Sequence, residues 1–173
     1  MKRIIGFLFI ILLVMTMLLY GGVSYTPGIG EEEAKTVKDN STGLVWTKCT
    51  IPDLTSDCTG TPQKYSWTQG LMACESWNLA NLKWRLPNIR ELQSIVNYYD
   101  KLVIFSYDGV AIDQTYFPNT KHAIESNFNE GKYWSSTTFL EEKSRAWAVH
   151  FSFGDLSTDF KNLNYYVRCV SGP

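Results

Sequence analysis

The chain has 173 residues, 16 basic against 17 acidic, for a formal charge of −1, and 45% of it is hydrophobic. That balance excludes the basic footprint with which proteins hold nucleic acid, and it gives no global pull toward polyanions. Aromatic content is high, with six Trp and ten Tyr; most such rings belong to a core, and the remainder can stack on sugars or peptides.

Met1-Lys2-Arg3 precedes an uncharged apolar run from Ile4 to Tyr20, the layout of an export signal. Gly21, Gly22 and Ser24 follow, so residues 1–24 are expected to be a signal peptide cleaved after Ser24. No cysteine follows the run, which argues against lipoprotein processing. The alternative is an uncleaved membrane anchor, because the run falls only slightly short of the ~20 residues that span a bilayer. Either way the remainder is expected outside the cytoplasm. Losing Lys2 and Arg3 takes the 16 basic residues to 14 against 17 acidic, or −3. About 150 residues remain, enough for one domain with a substantial core.

Residues 25–35 carry Pro27, Gly28, Gly30 and Glu31-Glu32-Glu33 and read as a linker without structure. The domain is expected to span 36–171. Thr36-Val37-Lys38 and Leu44-Val45-Trp46 flank the turn-rich Asp39-Asn40-Ser41-Thr42-Gly43, so a β-hairpin is predicted. Asn40-Ser41-Thr42 also matches a glycosylation sequon, which has meaning only in a host with that machinery.

Four cysteines in an exported domain read as two disulfides, with three possible connectivities. Cys49 and Cys58 flank a polar loop with little apolar content, so a local bridge is expected there. That leaves Cys74 with Cys169. In the chain-entropy model the long closure removes roughly 4 to 5 kcal/mol of unfolded-state entropy, against roughly 2 to 3 for the short one. Zinc is the other use of four cysteines, but no Cys-x-x-Cys pair is present and both histidines lie far from any cysteine.

Ser66 with Gln69 three residues on has capping-box spacing, and Trp67, Leu71 and Cys74 fall on one helical face, so a helix is predicted over 66–79 with Cys74 facing the core. Gly70 weakens it without excluding it. Trp84-Arg85-Leu86-Pro87-Asn88 follows. Asn88 and Glu91 again have capping-box spacing, and Ile89, Leu92, Ile95, Val96 and Tyr99 form a stripe of helical period, predicting a helix over 89–98. Arg85 is expected to be half-buried and to pair with Glu91 or another carboxylate, with anion binding as the functional alternative. Residues 100–131 lack periodicity and read as an irregular stretch pinned by aromatics, a kind of segment that often carries function. Residues 133–138 read as a strand. Residues 146–153 alternate, with Trp147, Val149, Phe151 and Phe153 on one face and Ala148, His150 and Ser152 on the other. Return and closing strands follow at 156–160 and 165–170. The tally is two helices and five to seven short antiparallel strands, an α+β domain.

Five stretches together resemble the Lcl C-terminal (DUF1566) family: 39–46, 84–92, 112–118, 133–137 and 166–170. They cover the chain from about Thr36 to Val170 in the family's order. The resemblance implies a fold related to C-type lectin-like domains, in which a cysteine of the first helix bonds to one of the final strand. It also implies distant kinship with formylglycine-generating enzymes, whose members carry a similar Arg-Leu-Pro before a helix with a Glu. The collagen-like adhesin of the family is associated with sulfated glycosaminoglycans. This chain has no Gly-x-y segment before the domain and is mildly acidic, which sets it apart from that example.

The calcium-binding sugar motifs of C-type lectins are absent: Leu86-Pro87-Asn88 lacks a carboxylate before its proline, and Trp77-Asn78-Leu79 lacks the aspartate. Asp53 and Asp57 are the acidic candidates left for calcium. Formylglycine-type oxidation needs a reactive cysteine pair, and all four cysteines have structural partners in the assignment above. A hydrolase would need His122 or His150, and no Gly-x-Ser-x-Gly elbow is present. The expectation is therefore a disulfide-braced C-type lectin-like domain without catalytic residues, metal or cofactor, a binding or adhesion module for a glycan or surface protein. It would meet a membrane only through an uncleaved signal. The expected ligand surface lies in 100–131, with Tyr107, Tyr116 and Phe117. The alternatives are a formylglycine-generating-type enzyme and a self-associating envelope module.

Overall fold

The computed structural model describes residues 24–98, 110–123 and 130–172; of the expected export signal only Ser24 lies among them. The first sheet is antiparallel, in the order β1 (Tyr25–Pro27), β2 (Thr36–Asp39), β3 (Val45–Thr47), β7 (Val170–Ser171). The predicted hairpin is β2–β3. Asp39 is buried at its turn and accepts from the Ser41 N–H at 2.8 Å and the Thr42 hydroxyl at 2.6 Å, a side chain standing in for backbone. Burial alone would raise its pKa; these bonds outweigh burial and hold it below the ordinary carboxylate value.

The stretch 25–35, read as linker, is structured. Its first residues form β1 on the edge of the sheet, and Glu33–Lys35 form a 3₁₀ turn. The Tyr25 ring explains the capture, packing 5.1 Å from Tyr116 and 5.3 Å from Phe117.

Helix α1 (Trp67–Glu75) opens on the expected Ser66–Gln69 capping box, and helix α2 (Ile89–Ser94) on the Asn88–Glu91 box. Both end earlier than predicted, at Glu75 against 79 and at Ser94 against 98. In α2 the reason is visible: the Asn97 N–H goes to the Ala111 carbonyl at 3.0 Å, outside the helical ladder. Val96 and Tyr98 then pack on Gly154, where a Cβ would stand 2.8 Å and 2.7 Å from them. Gly70 has a similar use in α1, because a Cβ there would meet Val167 at 3.0 Å. Its cost in helix propensity is offset by a close approach to the end of the domain.

The second sheet has the order β4 (Lys132–Thr138), β5 (Arg145–His150), β6 (Asp155–Phe160), all antiparallel. The strand predicted over 146–153 ends at His150, because the Phe153 and Gly154 N–H groups both turn back to the His150 carbonyl. Alternation along β5 does not separate core from solvent. Ala146 and Ala148 lie in one core cluster with Cys74, Trp134 and Cys169, while Val149 and Phe151 lie in another with Trp46, Leu92 and Phe117. The sheet is thus buried on both faces over part of its area, and His150, expected on a polar face, is buried.

The closing strand is also shorter than predicted; only Val170–Ser171 forms β7. Residues 165–169 instead run between the two sheets. Tyr165 bridges Tyr65, Tyr166 bridges Tyr133, and Val170 bridges Arg85. The two disulfides are the expected ones, Cys49–Cys58 and Cys74–Cys169, with Cα separations of 5.1 and 5.5 Å. Beside the second lies Arg168, at 0% exposure. Its Nη1 donates to the carbonyls of Thr47, at 2.7 Å, and Lys48, and its Nη2 donates to the Thr120 hydroxyl at 2.9 Å. The guanidinium lies 4.9 Å from the Phe117 ring centroid.

Two stability predictions follow from this geometry. Joint replacement of Cys74 and Cys169 by Ala should lower unfolding free energy by about 4 kcal/mol, and joint replacement of Cys49 and Cys58 by about 2; urea titration of both variants gives the ranking. Arg168→Lys should cost about 3 kcal/mol, because one ammonium cannot reproduce the fork and leaves buried carbonyls unpaired; its thermal midpoint should fall by several degrees at least.

Candidate functional site

The Trp84–Glu91 landmark is a structural joint. The Arg85 fork meets Glu91 in a bidentate pair, 2.7 Å on each arm, while the Glu91 carboxylate also accepts from the Asn88 N–H at 2.8 Å. Asn88 Oδ1 caps the Arg90 and Glu91 N–H groups. Trp84 and Leu86 are buried, and the Trp84 indole donates to the Leu79 carbonyl at 3.0 Å. The Pro87 carbonyl accepts from Ser136 of β4 at 2.7 Å. These residues hold α2 against β4 and, through the Arg85–Val170 bridge, against β7. With both arms of its fork on Glu91, Arg85 acts as a joint.

Only part of the expected ligand surface lies among the described residues. Phe117 is at 0% exposure, in the core beneath Arg168. Tyr116 is half-buried against Tyr25, and Tyr107 lies outside the described residues. Asp53 accepts from the Thr55 N–H at 2.8 Å and Asp57 from the Thr59 hydroxyl at 2.8 Å, so each organises its own turn. Among the described residues no group of three or more His, Cys, Asp and Glu comes together as a metal site requires. The four cysteines are all in disulfides. The His122 ring contacts its neighbour's carbonyl, Thr120 O, at 3.3 Å, and the Ser152 N–H donates to His150 Nδ1 at 3.3 Å. Neither ring stands against a serine hydroxyl and a carboxylate in those contacts.

A different surface gathers exposed chemistry. Register pairs Arg145 with Phe160, Trp147 with Thr158 and Val149 with Leu156, which puts their side chains on one face of the second sheet. Val149 is in the core, but toward the other end the face opens. Phe139 stands edge-on to Trp147 at 5.6 Å, and the Arg145 guanidinium lies 4.0 Å from the Phe160 centroid. Phe160 is 43% exposed, Leu156 across from Val149 on the edge strand is 39%, and Leu140, next to Phe139 in the chain, is 85%. Arg145 is fixed by Glu142 Oε2 at 2.7 Å and by the Thr158 carbonyl at 3.1 Å. The result is a half-exposed aromatic platform whose one cation is already engaged. Alternation in the sequence placed Trp147 with Val149 and Phe151 and so suggested core; the missing information was that β6 is the sheet's edge, which leaves this end of the face uncovered.

Two further ion pairs lie at the start of β4. Lys64 meets Glu130 at 2.6 Å, with the Tyr166 hydroxyl on the same carboxylate at 2.8 Å, and Lys132 meets Asp159 at 3.0 Å. Burial alone would raise both carboxyls, but bonds from Lys64 and Tyr166 to Glu130, and from Ser157 and Lys132 to Asp159, hold them below the ordinary range. Burial, then the neighbouring carboxylate, pushes Tyr165 and Tyr166 well above the usual phenol value. At neutral pH these groups are ionised acids with neutral phenols, satisfied by one another.

Glu91 sets a pH dependence. Burial would raise it, yet the bonds from Arg85 and from the Asn88 N–H hold it below its ordinary value. Its contribution is therefore complete above the unfolded pKa of about 4.3 and is lost as pH falls below that toward the folded value. Glu91→Gln should lower stability at pH 7 by about 1 to 2 kcal/mol, the partial exposure of Arg85 limiting the loss. The difference from wild type should shrink as pH drops below about 4; a constant difference across a pH series of urea titrations would remove Glu91 as its source.

Among the described residues no helix is long and apolar enough to cross a membrane, and two disulfides fit an extracellular protein. No curated protein matches the chain. The family model of the Lcl C-terminal domain matches residues 35–171, an interval holding both sheets but for β1, both helices and both disulfides. The chain belongs to the Lcl C-terminal domain family.

Proposed function

We propose that this domain is an exported, non-catalytic binding module of C-type lectin-like fold, and that it engages a glycan or a surface protein through the Phe139–Trp147–Phe160 platform. The platform carries the reading: three aromatic rings on one face, partly open to solvent, are costly to leave uncovered and well suited to stack on a sugar ring or an apolar side chain. The lectin-like assignment is supported by the bond from the first helix to the end of the domain, and by a sheet in which β3 and β7 pair. Non-catalytic action is supported by the cysteines, since oxidation of the formylglycine type begins from a reactive thiolate and all four sulfurs are in disulfides. A neutral glycan or an uncharged protein patch suits the platform better than a sulfated chain, because Arg145 is already held by Glu142.

The test is a screen over glycans and extracellular matrix proteins, repeated with Trp147→Ala and Trp147→Phe. A ligand of this face should bind at least about tenfold more weakly to the Ala variant, about 1.4 kcal/mol, and near wild-type strength to the Phe variant. Hits insensitive to Trp147→Ala would move the site elsewhere. No hit in either class would sink the binding reading.

A further inference from the structure

Among the described residues strand β6 has only β5 as a neighbour, so its other side is a free edge there. The Lys161 N–H donates to the Ser144 carbonyl at 2.9 Å, which continues the β5–β6 register. In an antiparallel ladder the hydrogen-bonding direction alternates, so residues 155, 157, 159 and 161 bond inward to β5. The backbone groups of Leu156, Thr158 and Phe160 therefore point outward. Such a row is a template for another strand.

The row is self-complementary. A two-fold axis through Thr158, perpendicular to the sheet, would oppose Thr158 to its own copy, Leu156 to Phe160 and Asp155 to Lys161. All three outward residues would fall in hydrogen-bonded pairs, the two exposed apolar side chains would meet on one face, and opposite charges would meet on the other. Yet two of the three outward carbonyls are already taken. Arg145 Nη1 reaches across the Phe160 ring to the Thr158 carbonyl at 3.1 Å, and the Leu163 N–H takes the Phe160 carbonyl at 2.9 Å. Glu142 holds the arginine in place from the loop before it.

We propose that β6 is a latent self-pairing edge whose natural occupant is a second copy of this chain, and that Arg145, anchored by Glu142, is the guard that keeps the copy off. The guard acts at one atom, the Thr158 carbonyl oxygen at the centre of the two-fold register. Removing it restores that acceptor and uncovers the Phe160 ring; the Phe160 carbonyl stays with Leu163, so each Leu156–Phe160 pair keeps the one bond from the Phe160 N–H to the Leu156 carbonyl.

Sedimentation velocity over a concentration series tests this. Arg145→Ala should self-associate at least tenfold more tightly than wild type, and Glu142→Ala, a change at an exposed side chain that leaves the strands untouched, should shift in the same direction by less. Adding Thr158→Pro to Arg145→Ala should return the wild-type profile. Proline there removes only an outward N–H, which β5 does not use, so the β5–β6 ladder persists while the new pairing is blocked. Unchanged sedimentation of both single variants would overturn the proposal. So would association of Arg145→Ala that Thr158→Pro leaves intact, since it would come from the exposed Phe160 face and not the edge. If Arg145→Ala fails to fold, Glu142→Ala with and without Thr158→Pro gives the same decision.

Discussion

The guanidinium of Arg168 has no access to water. Taking an ion into a protein interior costs several kcal/mol unless its donors are matched, and here both terminal nitrogens find acceptors in two stretches far from the arginine in the chain, while its buried Nε has no hydrogen-bond partner among the described residues. The carbonyls of Thr47 and Lys48 lie at the end of β3, the Thr120 hydroxyl and the Phe117 ring lie in the irregular middle, and the arginine itself lies in the crossing segment. Burial pushes its pKa down to about 10, so it remains a cation at neutral pH. A cation so placed allows little slack. It fixes Thr47 beside Cys169, where the Cys169 N–H donates to the Thr47 hydroxyl at 3.1 Å and the Thr47 N–H to the Cys169 carbonyl at 3.0 Å. That in turn sets where Cys169 stands when it meets Cys74. The long disulfide and the buried arginine are thus neighbours acting on one segment from opposite sides.

Local chemistry made much of this architecture legible from the residues. Ser66 with Gln69, and Asn88 with Glu91, announce helix starts because a cap is satisfied within four residues. Asp39 to Gly43 announces a turn for the same reason. The helix ends were misplaced because they are decided from afar: Asn97 gives its N–H to Ala111, and an apolar stripe does not reveal that competition. The closing strand was misjudged likewise. Residues 165–169 have the composition of a buried strand, but their backbone partners, Tyr65, Tyr133 and Arg85, come from three different segments, and strand composition says nothing about which neighbours are shared.

The candidate site was less legible than the fold. Tyr116 and Phe117 are aromatic residues in a segment without periodicity, a pattern equally suited to a binding loop or to a loop nailed into a core. The buried arginine decides between them, since Phe117 is the ring it covers. Conversely, Trp147 lies on the same face of β5 as the fully buried Val149. Only the order of strands, with β6 at the edge, distinguishes the open end of that face from the closed one. The motifs most easily read, Trp84 to Glu91 and Tyr166 to Val170, prove to be joints; the exposed platform has no motif of its own.

The crossing segment also bears on how the domain comes into being. Residues 165–171 supply strands or bridges to both sheets, side chains to both core clusters and one half of the long disulfide, and they are the last of the domain to be made. During synthesis, everything before them emerges with two unfinished hydrophobic surfaces and an unpaired Cys74. Such a chain cannot settle domain half by domain half. Its collapse waits for the final residues, which must thread between surfaces already formed, and non-local closure of this kind is slow. The interval before closure is when Cys74 is open to a wrong partner and the apolar faces to aggregation. The arrangement that makes the finished domain tight therefore places its greatest vulnerability in the interval before residues 165–171 are in place, and makes folding helpers and thiol oxidants part of the conditions under which this sequence finds its structure.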